Sequence, residues 1–215
     1  DISVRENSGK NNHIELSGDS REIPYNNDNL VYKACELFLE EAGLGKKSIS
    51  VNFQKNIPVA AGLAGGSSNA AGVLYGLNFI FDRILPRGVI SDLLAQLGSD
   101  LNFCYEGGTK LASSRGECLS ELRTPNLNIV IVKPRGVYIS AKEAYERYAQ
   151  LPEKPLKGQI EDLTAAIQKD NVVEISRYLD NDLEKGILPY YGKISEIKNY
   201  LAQKGCLETL MSGSG

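Results

Sequence analysis

The chain has 215 residues, 42% of them hydrophobic and 24% charged, enough for one large domain or two small ones with no need of metal or disulfide staples. A formal net charge of -3 offers no basic field to nucleic acid or an anionic membrane, so an anionic ligand needs local help from backbone amides or a few lysines. Cys35, Cys104, Cys118 and Cys206 form no Cys-x-x-Cys pair, and the single histidine, His13, lies in a polar stretch, which speaks against zinc sites and histidine triads and for reduced thiols.

Alternation marks Ile2-Ser3-Val4 and His13-Ile14-Glu15-Leu16 as strands. Asn26-Asn27-Asp28 offers a cap for a helix carrying Leu30, Val31, Ala34, Cys35, Leu37 and Phe38, which Gly43 closes. Ser48 to Phe53 alternates again, with Ile49, Val51 and Phe53 on one face. A glycine-rich stretch follows and leads into a buried helix, Ala70 to Leu77, whose small residues suit close packing. Ser91 to Leu97 reads as a helix stopped by Gly98, and Phe103 to Ala112 as a strand kinked at Gly107-Gly108. Asn128 to Val132 is a continuous apolar run and the candidate central strand. Ser140 to Tyr148, Ile160 to Gln168, Val172 to Leu179 and Ile194 to Lys204 are helix-like. The style changes near Pro125, from strands and glycines to helices, which sets an expected boundary between residues 1–124 and 125–215. No apolar stretch is long enough to span a bilayer, and no signal peptide is visible.

The segment with chemistry in it is Pro58-Val59-Ala60-Ala61-Gly62-Leu63-Ala64-Gly65-Gly66-Ser67-Ser68-Asn69-Ala70-Ala71. A strand enters it and a helix leaves it. Glycines permit positive φ and remove the Cβ atoms that would block a bulky anion. Successive amides can point inward as a nest, and the helix adds free N–H groups and a positive dipole end. Ser67 and Ser68 supply hydroxyls. No Gly-Lys-Ser/Thr is present, so this is not a Walker A loop, and Gly-x-Gly-x-x-Gly is absent too. The plainer alternative is a flexible turn before a capped helix.

Pro-x-x-x-Gly-Leu-Ala-Gly-Gly-Ser-Ser-Asn-Ala-Ala resembles the phosphate loop of the GHMP kinases. Asp28-Asn29-Leu30-Val31, Leu97-Gly98-Ser99-Asp100, Gly107-Gly108-Thr109 and Arg115-Gly116-Glu117 follow as they do in that family, so the resemblance covers essentially the whole chain. It implies an α+β fold of two domains, the first like a domain of ribosomal protein S5 and the second ferredoxin-like. It also implies ATP and Mg2+ as cofactors. Pro58, Gly62, Leu63, Ala64, Gly65, Gly66, Ser67 and Ser68 would then form the nucleotide site. The doubled glycine most resembles the branch that phosphorylates the 2-hydroxyl of 4-diphosphocytidyl-2-C-methyl-D-erythritol on the non-mevalonate route to isoprenoids. Homoserine and mevalonate-type kinases usually read Gly-Leu-Gly-Ser-Ser. A protein that keeps the loop but not the catalysis is the rival from another class.

Within that resemblance Asp100 falls at the catalytic aspartate, although Gly-x-Asp by itself is a common surface turn. Asn102 stands where many relatives have proline. Lys55 matches a position near the nucleotide and is otherwise a solvated lysine at a strand end. Asn29 would bond the adenine, or simply sit in the turn ahead of its helix. Tyr145 matches an aromatic that stacks on cytosine, or belongs to helix core. Gly213 matches a second glycine-rich motif beside the substrate. The family's upstream lysine and Gly-Tyr-His segment do not appear, and the Pro-Thr after Ser212-Gly213-Ser214-Gly215 is missing. The chain therefore reads as trimmed at both ends, with weak or no ATP binding and poor turnover expected. A small-molecule substrate, a monomer or homodimer, and a bacterial cytosol or plastid stroma complete the expectation.

Overall fold

The computed structural model describes residues 2–7, 13–45, 47–152 and 160–215. The chain parts into two compact units, one of residues 1–59 with 64–121, the other of residues 60–63 with 122–215.

The first unit is built on a three-stranded sheet of β1 (Ile2–Asn7), β2 (His13–Gly18) and β3 (Ser48–Phe53), in the order β1-β3-β2. β3 pairs antiparallel with β1 and parallel with β2, so that Val4, Val51 and Leu16 lie side by side. The alternation read from the sequence decides which face is buried: Ile49, Val51 and Phe53 are enclosed. On the opposite face Ser50 bonds Glu15 and Asn52 bonds Ser17, which keeps that side polar.

Helices α1 (Leu30–Glu41) and α2 (Gly65–Ile80) form the same core with Val31, Ala34, Phe38, Ala70, Leu74 and Leu77. Each large side chain so buried contributes roughly 1.5–3 kcal/mol. The cap of α1 is Asn29, one residue past the predicted trio, and Gly43 turns left-handed (φ 65°) after its last turn. Gly76 places α2 against β1, where even a Cβ would meet Val4 at an ordinary 3.4 Å. Buried Asn78 fastens the following turn by bonding both the N–H and the C=O of Leu85.

Pro86 precedes α3 (Arg87–Leu97), which begins four residues earlier than the pattern suggested. The strand expected from Phe103 is corrected: Leu101–Glu106 is a helix, α4, and only Thr109–Ser113 is a strand, β4, paired with β5 (Cys118–Leu122). Leu101 and Asn102 are buried while Cys104 and Tyr105 pack partly on the core. That one-sided burial needs a helical turn, and Gly107 (φ 67°) ends it.

In the second unit, α5 (Ala141–Ala149), α6 (Ile160–Gln168), α7 (Val172–Tyr178), α8 (Glu184–Ile187) and α9 (Gly192–Gln203) follow one another, close to the helices read from the sequence except for the unforeseen α8. Ile139, Ala144, Ile187 and Met211 make a small core. The central strand expected at Asn128–Val132 is absent, and Ile129, Val130 and Ile131 are 73, 67 and 67% exposed. An apolar run becomes a strand only when a neighbour pairs with it, and among the described residues none does.

Candidate active site

The glycine-rich loop changes hand along its length. Ala60, Gly62 and Ala64 have φ of 49, 62 and 49°, with Ala61 and Leu63 between them on the ordinary side. Alternation of this kind turns successive N–H groups toward one side, the geometry of an anion nest. Ala64 then serves as the N-cap of α2, and the first intrahelical bond runs from Ser68 N to Ala64 O at 2.8 Å. The amides of Gly65, Gly66 and Ser67 come before that bond, at the positive end of a helix of 16 residues with no acidic side chain in its first turn.

In the first unit three side chains gather at this helix start. The Lys55 ammonium lies where a Cβ on Gly65 would come within 2.7 Å of it, so the missing side chain makes room for the charge. Lys55 is oriented from behind, its backbone N–H donating to Asp19 at 2.9 Å, and partial burial lowers the ammonium below the usual lysine range. The Ser68 hydroxyl lies 3.5 Å from the Cys104 sulfur. Cys104 in turn donates its N–H to Asp100 O at 3.0 Å, one turn back in α4. Burial raises the Cys104 thiol, the Ser68 hydroxyl pulls it down, and the Asp100 carboxylate adds to the rise. Asp100 is exposed at the N-cap of α4 and makes no side-chain capping bond there, leaving its carboxylate free to face a ligand. Gly116 supports it indirectly, since a Cβ there would press to 2.9 Å on the carbonyl of Ser99.

Loop residues 60–63 belong with the second unit. Ser212 Oγ donates to Gly62 O at 2.8 Å, and a Cβ on Gly62 would overlap the Ser212 carbonyl. Gly213, itself left-handed at φ 54°, packs on Gly62 as well. The Lys133 ammonium donates to Ala60 O, and partial burial lowers it too.

Of the residues singled out from the sequence, Lys55, Gly65, Gly66, Ser67 and Ser68 collect at one helix start, with Asp100 one helical turn from the Ser68 contact. Gly62 and Gly213 meet each other. Pro58 is exposed ahead of the turn. Asn29 is already engaged: its Oδ1 accepts from Val31 N at 2.9 Å and its amide donates to Pro24 O at 2.6 Å, so one N–H is left for a ligand. Tyr145 is 63% exposed on α5, not helix core. Lys133, Cys104 and Ser212 were not singled out. Lys133 ends the apolar run and could have been noticed there. The contacts of Cys104 and Ser212 span 36 and 150 residues, which no local pattern shows. Among the described residues no three His, Cys, Asp or Glu side chains cluster as metal ligands, and no helix is long and apolar enough to cross a membrane.

The family described as GHMP kinases N terminal domain matches residues 29–108, which hold the loop and Asp100. The chain is 38% identical over 211 residues to a 4-diphosphocytidyl-2-C-methyl-D-erythritol kinase of Synechococcus, covering 94% of this chain and 68% of that protein. It is 38% identical over 204 residues to the protein of the same name from Caldicellulosiruptor bescii, covering 94% and 70%. Among solved structures, a 4-(cytidine 5'-diphospho)-2C-methyl-D-erythritol kinase superposes with a TM-score of 0.73 at 25% identity, over 100% of this chain and 73% of that one. A homoserine kinase from Cytophaga hutchinsonii follows with a TM-score of 0.67 at 16% identity over 100% and 73%, a likeness of fold alone.

Proposed function

Because this chain belongs to the GHMP kinases, we propose that it transfers the γ-phosphoryl group of ATP to the 2-hydroxyl of 4-diphosphocytidyl-2-C-methyl-D-erythritol, a step toward isoprenoid precursors. The observation that carries the reading is the alternating hand of residues 60–64 running straight into the α2 N-terminus. A run of inward amides ahead of a helix dipole suits an anion such as a polyphosphate.

In this reading residues 1–124 form the ATP-binding domain and 125–215 the substrate-side domain. The phosphates lie on the amides from Gly62 to Ser68, with the Lys55 charge beside them. The hydroxyls of Ser67 and Ser68 are oxygen donors of the kind Mg2+ accepts, and the rest of its shell would come from phosphate and water. When bound, the ion neutralises charge on the phosphates.

Phosphoryl transfer forms a bond from the acceptor oxygen to γ-phosphorus and breaks the bond to the oxygen that leaves with ADP. The transition state is loose, so positioning and charge stabilisation do most of the catalysis. Asp100 accepts a hydrogen bond from the acceptor hydroxyl, orients it, and takes its proton late. Tyr145 offers an exposed ring to cytosine, Gly213 a backbone free of side chain to the substrate, and the remaining N–H of Asn29 a donor to the adenine. The bacterial relatives fit a cytosolic enzyme.

ADP release is the test, measured with 4-diphosphocytidyl-2-C-methyl-D-erythritol, homoserine and mevalonate as acceptors. Turnover, however slow, is expected with the first alone. Preference for either of the others, or ATP consumption indifferent to all three, would overturn the substrate assignment.

A further inference from the structure

The second unit contains a polar cluster with no part in the chemistry above. The side-chain amide of Asn181 is fully engaged. Its Nδ2 donates to Met211 O at 2.7 Å and to Gly213 O at 2.9 Å, and its Oδ1 accepts from Leu183 N at 3.0 Å. Three residues on, Glu184 is 8% exposed, an unusual place for a carboxylate. One of its oxygens accepts the backbone N–H of Met211 and the other the Lys198 ammonium. Two carbonyls and one amide of the segment Met211–Gly213 are therefore held by side chains from one short stretch.

That segment touches Gly62. Ser212 bonds Gly62 O, Gly213 packs on its Cα, and the Gly215 N–H returns to Ser212 O at 3.0 Å, closing a turn. We infer that Asn181 and Glu184 are positioning residues: they clamp Met211–Gly213 so that Ser212 braces Gly62 in its left-handed conformation and presets the loop for phosphate. Glycine takes that conformation without strain but is equally free to leave it, so a bracing partner that is itself fixed from behind selects it. A carboxylate taken out of water is costly unless it is paired and bonded, and both conditions are met at Glu184. The consequence for ATP binding rests on the loop being the phosphate site. The clamp itself does not.

The test separates the two. Asn181→Asp keeps the oxygen that accepts from Leu183 N but removes both donors, so it spares the start of α8 and opens the clamp. Asn181→Ala removes everything, and Arg123→Ala, which breaks an ion pair of 2.8 Å with Asp170 in the same unit, serves as the control. Amide hydrogen exchange at Met211 and Gly215 is expected to quicken about fivefold or more in both Asn181 variants and to stay unchanged in the control, since each lost hydrogen bond is worth about 1 kcal/mol. KM for ATP is expected to rise about tenfold with kcat within about twofold, the pattern of lost ground-state positioning. Exchange and KM in Asn181→Asp equal to those of the parent would overturn the clamp and leave Asn181 only closing the turn ahead of α8. If no variant and no parent turns ATP over, the kinase reading fails, while the exchange data still decide whether the clamp exists.

Discussion

Gly62 and Ser212, 150 positions apart, meet with no side chain on the glycine between them: the serine hydroxyl donates to the glycine carbonyl at 2.8 Å, and its own carbonyl occupies the space a Cβ would need. Two demands fall on Gly62 at once, a φ of 62° and contact with a backbone oxygen. Gly62→Ala violates both. A left-handed alanine alone costs about 1–3 kcal/mol, and the collision displaces either the loop or Ser212. The variant is expected to unfold at lower urea and to bind ATP at least about tenfold more weakly. An unchanged KM for ATP would detach Gly62 from the phosphate site.

Lys55 and Gly65 form a second linked pair. Lys55→Met removes the charge beside the helix start, and Gly65→Ala pushes it aside, with a Cβ 2.7 Å from the ammonium and 3.0 Å from Ile57. Both are expected to raise KM for ATP by about ten- to a hundredfold, the range for a hydrogen bond to a charged group. Lys55 also loses its proton earlier than an ordinary lysine, because burial lowers it. ATP affinity therefore holds at neutral pH and falls as pH rises into the alkaline range, sooner than an unperturbed lysine would allow. A KM profile against pH checks this, and in Lys55→Met that limb should disappear.

Asp100 is exposed and caps nothing with its side chain, so changing it should touch chemistry and not folding. Asp100→Asn keeps the shape and removes the base. The expected result is a kcat lower by about 10²- to 10⁴-fold with stability within about 0.5 kcal/mol of the parent. Undiminished turnover would remove the catalytic assignment.

The four thiols offer a test that needs no activity. Cys35 is fully enclosed, and burial, with Glu36 adding to it, pushes its thiol up to about 12. Cys118 is exposed on β5. A thiolate-directed reagent at pH 8 should modify Cys118 first and reach Cys35 only on unfolding. Early labelling of Cys35 in folded protein would contradict the packing of α1 against α2.

What the sequence disclosed follows a physical line. Strand β3 was legible because Ile49, Val51 and Phe53 alternate with polar residues whichever neighbours arrive. The loop was legible because so many glycines, alanines and serines together serve few other purposes. Ala60 and Ala64 were not: both are left-handed, where glycine is the residue to expect, and alanine gives no sign of φ. Phe103 to Glu106 misled because a short apolar run suits strand or helix alike, and burial beside Leu101 decided it. Asn128 to Val132 misled because strand propensity supplies no partner. Lys133, Asn181 and Glu184 act on backbone tens of residues away, and a single sequence carries no trace of such contacts.

Asn102 ties α3 to α4. It is 4% exposed, its amide donates to Ser91 O at 3.3 Å, and Ser91 Oγ donates to its Oδ1 at 3.1 Å. It stands in the first turn of α4, two residues after Asp100, so this pair helps fix where the Asp100 carboxylate starts. Asn102→Ala leaves the Ser91 hydroxyl and carbonyl without these partners and is expected to cost about 1–3 kcal/mol in urea unfolding. Ser91→Ala removes one of the two bonds and should cost about 1 kcal/mol. Because the residues bond each other, the double variant should lose less than the sum, by about 0.5–1 kcal/mol. Additive losses would show that the two side chains do not interact, and that core packing alone holds α4.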